Sequence, residues 1–207
     1  MILVAVPIRA GTLQRWEANT LARYGALTYP DRELALVPNA FPANGRKYEP
    51  NAKARNLVIE TRLRPEHTHV LWMDADLVDV PPDLIQQLLA VSAGDVVAPF
   101  VYVEPPGGWF YDTGGFVLGG VGAAPHGPIF PGYQGGPIEL DSVGTCYLAP
   151  AELYREHGLR YGVTAGEVEH RGLLARAKAL GYRVIATDAV VVTHAYLPAH
   201  GERWHSE

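Results

Sequence analysis

Asp74-Ala75-Asp76 stands directly after the apolar run His69-Val70-Leu71-Trp72-Met73. Residues two apart on a strand point to the same side, so a buried strand ending here would present both carboxylates together. Open α/β sheets bind their ligands at the carboxyl ends of their strands. Two carboxylates so close repel each other unless a cation stands between them. Mg²⁺ and Mn²⁺ take oxygen ligands and leave positions open for phosphate oxygens. The pair therefore predicts a site for a divalent cation and a diphosphate. The plainer alternative for so short a pattern is a solvated turn.

Such a pair needs a sheet to carry it, and the chain is long enough to build one. Its 207 residues, 48% hydrophobic and 19% charged, fit one soluble globular domain with a substantial core. The net charge of -5 argues against a protein that holds nucleic acid by bulk electrostatics. A single cysteine, Cys146, excludes an internal disulfide and a cysteine-based zinc cluster, and reads as a small buried side chain. No stretch approaches the roughly 18–20 apolar residues of a membrane span. The start, Met1-Ile2-Leu3-Val4-Ala5-Val6-Pro7, lacks a basic leader and reads as a first strand. A cytoplasmic protein is the expectation.

Strand-like and helix-like segments alternate, as in a doubly wound α/β domain. Residues 2–6 form a strand closed by Pro7, and Thr12 caps a helix running to Tyr24. A second strand over 33–37 ends at Pro38-Asn39, followed by a loop over 40–50. Residues 51–63 read as a helix stopped by Pro65, and Pro81-Pro82-Asp83 open another with Leu84, Ile85, Leu88 and Leu89 inward. Residues 95–103 are a β-branched strand. Residues 104–137 are rich in Gly and Pro and carry Trp109, Phe110, Tyr111, Phe116, Phe130 and Tyr133. Loops beyond about 12–15 residues are usually functional or disordered, and the aromatics argue against disorder. A mobile lid or acceptor loop with some hairpin structure is expected, over the alternative of a bland surface loop. A strand over 138–148 embeds Asp141, a short helix spans 150–157, and a longer one spans 166–180 with Gly181 as its stop. Late strands at 184–186 and 189–193 lead to His194. One domain is predicted, with a donor and metal half over 1–103 and an acceptor half over 104–207.

Two residues carry chemistry on their own reading. Arg55 could reach phosphates with its planar fork of donors, or lie on a solvated helix face. Asp141 inside an apolar strand would cost several kcal/mol unless paired, which suggests contact with a substrate.

The segments at 54–63, 69–89, 94–103, 139–149 and 168–194, in this order and spacing, resemble a nucleotide-sugar glycosyltransferase of the GT-A fold. Within it they look most like the Anp1/Mnn9/Van1 mannosyltransferases, which share the Arg-Asn helix (Arg55, Asn56), the D-x-D followed by Pro-Pro, the V-G-T strand and a late histidine. The resemblance implies a single Rossmann-like domain with a mostly parallel central sheet flanked by helices. It implies that Asp76 ligates Mn²⁺ (or Mg²⁺) directly. Asp74 would meet ribose or donor sugar, or reach the metal through water, and His194 would be the second protein ligand. Pro7, Ile8 and Arg9 fall where the fold makes nucleotide contacts, and Asn39 is a weaker candidate for the base. Glu169 aligns with the acceptor-side carboxylate of many GT-A enzymes, with His170 replacing a second one and Glu167 the alternative. His67 and His69 read as structural or exposed.

The implied activity is metal-dependent transfer of a sugar from a nucleotide diphosphate to a hydroxyl on a glycan or other acceptor. On the Anp1-like pattern the donor is GDP-mannose and configuration is retained. On the pattern of the large inverting families the donor is a UDP-sugar, with Glu169 or Asp141 as general base. A non-catalytic sugar-nucleotide or glycan-binding domain is a third reading, and a homo-oligomer is compatible with all. A sugar nucleotidyltransferase is disfavoured, because Ala10-Gly11-Thr12 is too sparse for its glycine-rich phosphate loop.

Overall fold

A computed structural model describes residues 1–9, 13–39, 49–104, 108–126, 128–162 and 169–196; the side chains of Arg9, Leu13, Gln14, Arg15, Asn39 and Glu169 are outside the described set. Thr12, expected as a helix cap, and Glu167 also lie outside the described residues.

The elements follow in order as β1 (Ile2–Arg9), α1 (Leu13–Ala26), β2 (Arg32–Asn39), α2 (Glu49–Arg62), β3 (His69–Met73), β4 (Leu77–Asp79), α3 (Leu84–Ser92) and β5 (Val96–Val103). A small hairpin comes next, β6 (Val117–Leu118) and β7 (Val121–Gly122). Then come β8 (Ile138–Glu139), β9 (Cys146–Pro150), α4 (Glu152–Arg155), α5 (Glu169–Ala179) and β10 (Val184–His194). The main sheet has the order β2-β1-β3-β9-β5-β10-β4, with β8 pairing β10 off this path. β2, β1, β3, β5 and β10 run one way; β9, β8 and β4 run against them. The sheet is mostly parallel, and its helices cover both faces.

Alternation along each strand sorts side chains between two cores. Leu3, Ala5, Val70 and Trp72 turn to the face packed by Ala52 and Val58 of α2 and Leu173 and Leu174 of α5. Ile2, Val4, Leu71 and Met73 turn to the face packed by Leu84, Ile85 and Leu88 of α3, with Trp16 and Tyr24 of α1 against it. Gly181 ends the α5 region with φ of 95°, a left-handed stop that glycine adopts without strain.

Three expectations are corrected. Pro7 does not close β1, which continues to Arg9; the pairing with β3 stops at Ala5↔Trp72, so Pro7 lies where β1 has one neighbour and a missing donor is tolerated. The strand expected over 138–148 is broken into β8 and β9, and Asp141 lies in the break rather than inside an apolar strand. The two late strands are one, β10, whose register to β5 shifts between Thr187 and Val191.

The aromatic segment over 104–137 is not a detached lid where it is described. Phe110, Phe116 and Phe130 are buried in the core, with Phe110 and Phe116 edge-on to Phe100 at 5.6 and 5.9 Å. Asp188, in the β10 irregularity, accepts the Gly136 N–H at 3.0 Å and ties the segment's end to the sheet. Aromatic side chains here serve burial, which the composition could not distinguish from ligand stacking. Among the described residues no helix is long and apolar enough to cross a membrane.

Leu148 of β9 lies opposite Leu71 and Val97 and is fully buried, whereas Leu21 on α1 is half exposed. Leu148→Ala is expected to cost about 2–5 kcal/mol in urea unfolding, and Leu21→Ala under about 0.5 kcal/mol. Equal costs would contradict this packing.

Candidate functional site

The D-x-D residues do not extend β3. The strand ends at Met73, and the Leu77 N–H donates back to the Asp74 carbonyl at 3.4 Å, so Asp74-Ala75-Asp76 forms a turn between β3 and β4. Strand alternation is therefore not what aims the carboxylates. Asp74 turns toward α2, where its Oδ1 lies 3.4 Å from the Arg55 guanidinium. Asp76 turns toward β10, where its Oδ1 lies 3.0 Å from Nε2 of His194.

That second contact is set by the backbone. β4 pairs antiparallel with the end of β10, with His194 opposite Leu77, and the Ala195 N–H donates to the Asp76 carbonyl at 2.9 Å. His194 is fully buried, and Tyr111 stacks on its ring at 3.6 Å with planes 13° apart. Its Nδ1 lies 2.9 Å from the Ala195 carbonyl. A carbonyl only accepts, so Nδ1 carries the hydrogen, and the Nε2 lone pair of the neutral ring faces Asp76. An imidazole lone pair and a carboxylate oxygen at this distance attract only through a proton or a cation. With a proton, the pair is an ion pair: burial opposes charge on His194, but the hydrogen bond and charge of Asp76 and the Ala195 carbonyl raise its pKa overall. With a cation, it is a two-ligand set. Adjacent ligands about 2.1 Å from an octahedral ion are about 3 Å apart, so the donor spacing fits Mg²⁺ or Mn²⁺. Among the described residues no group of three or more His, Cys, Asp or Glu forms a metal cluster. A cation here would complete its shell with waters and ligand oxygens, as hard cations commonly do.

Arg55 is buried, which overturns the solvated-face alternative. Its guanidinium lies 5.0, 5.8 and 5.4 Å from the rings of Trp72, Tyr147 and Tyr161. These faces stabilise the cation out of water and hold it beneath Asp74. Asn56 instead joins α2 to the chain before α5, its amide bonding the Tyr161 carbonyl and N–H at 3.1 and 2.8 Å. His170 is kept neutral: burial, then the charges of Arg55 and Arg171, push its pKa down to about 3.

Asp112 was not singled out in the sequence. It is buried between glycines: a Cβ at Gly144 would stand 2.8 Å from its Oδ2, and one at Gly115 would clash with its Oδ1. Burial raises its pKa to about 6, against hydrogen bonds from the Thr145 side chain and the Gly115 and Gly144 backbones and the charge of His194. Thr145 has φ of 36°, a strained conformation for a β-branched residue, and its carbonyl accepts the Asp74 N–H at 3.0 Å. The buried Cys146 thiol is raised by burial and by the charges of Asp74 and Asp112, opposed by Arg55. Thr145 thus bonds Asp112 through its side chain and Asp74 through its carbonyl, which places Asp112 beside the D-x-D turn. A carboxylate flanked by Tyr111 and by Thr113-Gly114-Gly115 was the available signal.

Other candidates fall elsewhere. Asp141 is half exposed, paired with Lys178 Nζ at 2.9 Å and accepting the Gly120 N–H at 3.2 Å, so its burial is corrected. Pro7 sits late in β1; Arg9 and Asn39 face each other in register at the ends of β1 and β2, their side chains undescribed. Glu169 opens α5, and its side chain is likewise undescribed. His67 is structural: fully buried, it accepts the Arg64 N–H at 2.9 Å, and His69 begins β3.

The Anp1 family model matches residues 39–114, the stretch holding Arg55, the D-x-D turn and Asp112. The Mannan polymerase I complex VAN1 subunit of Saccharomyces cerevisiae is 26% identical over 193 residues, covering 78% of this chain and 36% of that protein. The Mannan polymerase II complex ANP1 subunit of the same yeast is 26% identical over 200 residues, covering 81% and 39%. The chain thus spans under half the length of these relatives. Among solved structures, S. aureus TarS 1-349 in complex with UDP-GlcNAc superposes with a TM-score of 0.58 at 11% identity, covering 95% of this chain and 58% of that one. GalNAc-T7 with UDP, GalNAc and Mn²⁺ gives 0.62 at 14% identity, covering 95% and 43%. The fold is that of GT-A glycosyltransferases, and the sequence is similar to the Anp1 group.

Asp112 binds its proton more tightly folded than unfolded, so its contribution is fully present below about pH 4 and is lost as pH rises through about 6. In urea unfolding with EDTA, Asp112→Asn is expected to gain on wild type by on the order of 2–3 kcal/mol between pH 4 and 7.5. A difference independent of pH would contradict the buried carboxyl.

Proposed function

We propose that this chain is a metal-dependent glycosyltransferase domain that moves a sugar from a nucleotide diphosphate to an acceptor hydroxyl. The Asp76–His194 pair at the carboxyl end of the sheet carries the proposal, because its spacing and donor types suit a divalent cation shared with a diphosphate. When bound, that cation offsets the charge that grows on the leaving diphosphate, the largest electrostatic demand of the reaction. Asp76 and His194 would hold it, and Tyr111 and the Ala195 carbonyl keep the imidazole in the tautomer and orientation that ligation needs.

Asp74 has a different task. Arg55 balances its charge and holds it as an acceptor for donor hydroxyls, so Arg55 acts through Asp74 rather than on the phosphates. Asp112 joins the proposal beside Asp141 as a buried carboxyl next to the D-x-D turn, linked to it through Thr145. Glu169 remains in the proposal as a second acceptor-side carboxylate at the start of α5. Pro7, Arg9 and Asn39 are proposed to line the nucleotide end. The names of the yeast relatives support mannose as the sugar, which makes GDP-mannose the first donor to test and UDP-sugars the second.

A second reading, a subunit that holds a sugar nucleotide without transferring it, is favoured by one observation: the matched relatives are named as subunits of complexes. Product formation, with its anomeric configuration read by NMR, separates the two.

With Mn²⁺ and GDP or UDP at about 100 times Kd, wild type should gain about 2.7 kcal/mol, or about 5–10 °C in melting temperature. Asp76→Asn and His194→Ala should lose most of this gain, read in each variant as the difference between its melting temperature with Mn²⁺ and nucleotide and that in EDTA, since loss of the buried imidazole lowers the EDTA baseline itself. Wild-type shifts in both variants would refute the metal assignment.

A further inference from the structure

The D-x-D turn is held from outside its own strand by a residue of α1. The Asn19 side-chain amide donates to the Ala75 carbonyl at 2.9 Å and to the Leu77 carbonyl at 2.7 Å. These carbonyls flank Asp76 on either side. An amide NH₂ has two donors, so one side chain satisfies both. Asparagine is a mediocre helix former because its side chain competes for nearby backbone groups, so a position inside a 14-residue helix is better filled by many other residues. Here both donors are committed to a segment more than 50 positions away in sequence, at separations of 56 and 58.

We infer that Asn19 is a positioning residue for the metal ligand Asp76, fixing the turn so that this carboxylate meets His194. Three successive carbonyls are pinned: Ala75 and Leu77 by Asn19, and Asp76 by the Ala195 N–H at 2.9 Å. The turn's entry is fixed as well, with the Asp74 N–H bonded to the Thr145 carbonyl at 3.0 Å. With the peptide planes on both sides held, the backbone angles of Asp76 and the direction of its Cβ are determined before any ligand arrives. Without Asn19, two partly buried carbonyls lose their partners and the turn regains freedom about Asp76. The carboxylate then has to be ordered at the expense of binding energy. The anchor of this clamp is a helix rather than a loop. Trp16, one turn earlier on α1, packs against the same apolar cluster as Ala75, so helix and turn are fixed to one support.

The inference rests on the proposed metal site, and its test separates the two. Asn19→Asp is nearly isosteric but replaces the donors with a group that repels the carbonyls; Asn19→Ala removes the side chain. In a Mn²⁺ titration with GDP or UDP present, both variants should bind Mn²⁺ about 10–100-fold more weakly. Amide hydrogen exchange without metal should be faster at Ala195 and Leu77 by at least tenfold, while Val4 and Val97 in the sheet centre keep wild-type rates. Unchanged Mn²⁺ affinity overturns the inference, and so does unchanged exchange at Ala195 and Leu77. General acceleration that includes Val4 and Val97 overturns it too, in favour of a structural role alone. If wild type itself binds no Mn²⁺ with either nucleotide, the proposed function fails, and the exchange pattern alone decides the clamp.

Discussion

The antiparallel pairing of β4 with the end of β10 is the constraint on which the site depends. It brings a turn near residue 75 against residue 194 and sets their separation by backbone hydrogen bonds rather than by long side chains. A short aspartate and a buried imidazole then meet with little rotamer freedom to lose. Because the ladder supplies the geometry, the attraction between the two side chains does not have to. The same ladder keeps a hard oxygen donor and an imidazole within one cation's reach, a mixture that suits Mn²⁺ in particular.

Charge is distributed around this pair with some economy. Arg55 sits in low-dielectric surroundings, where an unpaired cation would be costly, and three aromatic rings and Asp74 offset that cost. Lysine could not replace it, since a point charge offers neither a planar stack nor a fork. Asp112 is held by hydroxyl and backbone donors at Thr145, Gly115 and Gly144, with the charge of His194 nearby. The two carboxyl groups are thus held differently, Asp74 by a guanidinium and Asp112 by backbone and hydroxyl donors in a buried setting.

Much of the fold was legible in the sequence because periodicity and punctuation are local. The strand over 69–73, the helices on either side of it and the stop at Gly181 follow from apolar spacing and from Pro and Gly. The pairing of Asp76 with His194 was legible only through resemblance, because nothing local relates the two. The rest was hidden for physical reasons. β4 is three residues long and exists because β10 is beside it. The break between β8 and β9 contains Gly144, packed against the distant Asp112, and Thr145 at a positive φ. For the same reason Asp141 looked buried while Asp112 went unnoticed: an apolar neighbourhood in sequence is not an apolar neighbourhood in space. Asn19 resembled any helix-surface polar residue.

β10 is the last described strand, and it lies between β5 and β4 near one edge of the sheet. During synthesis, the rest of the candidate site, apart from the adjoining Ala195, is made before it. Until residues 184–194 emerge, β5 has an unpaired edge and the turn carrying Asp76 has no partner, so a nascent or truncated chain is both unable to assemble the site and exposed to wrong strand pairing. The order in which the chain is made thus couples the acquisition of ligand-binding competence to the closing of the sheet's most vulnerable edge.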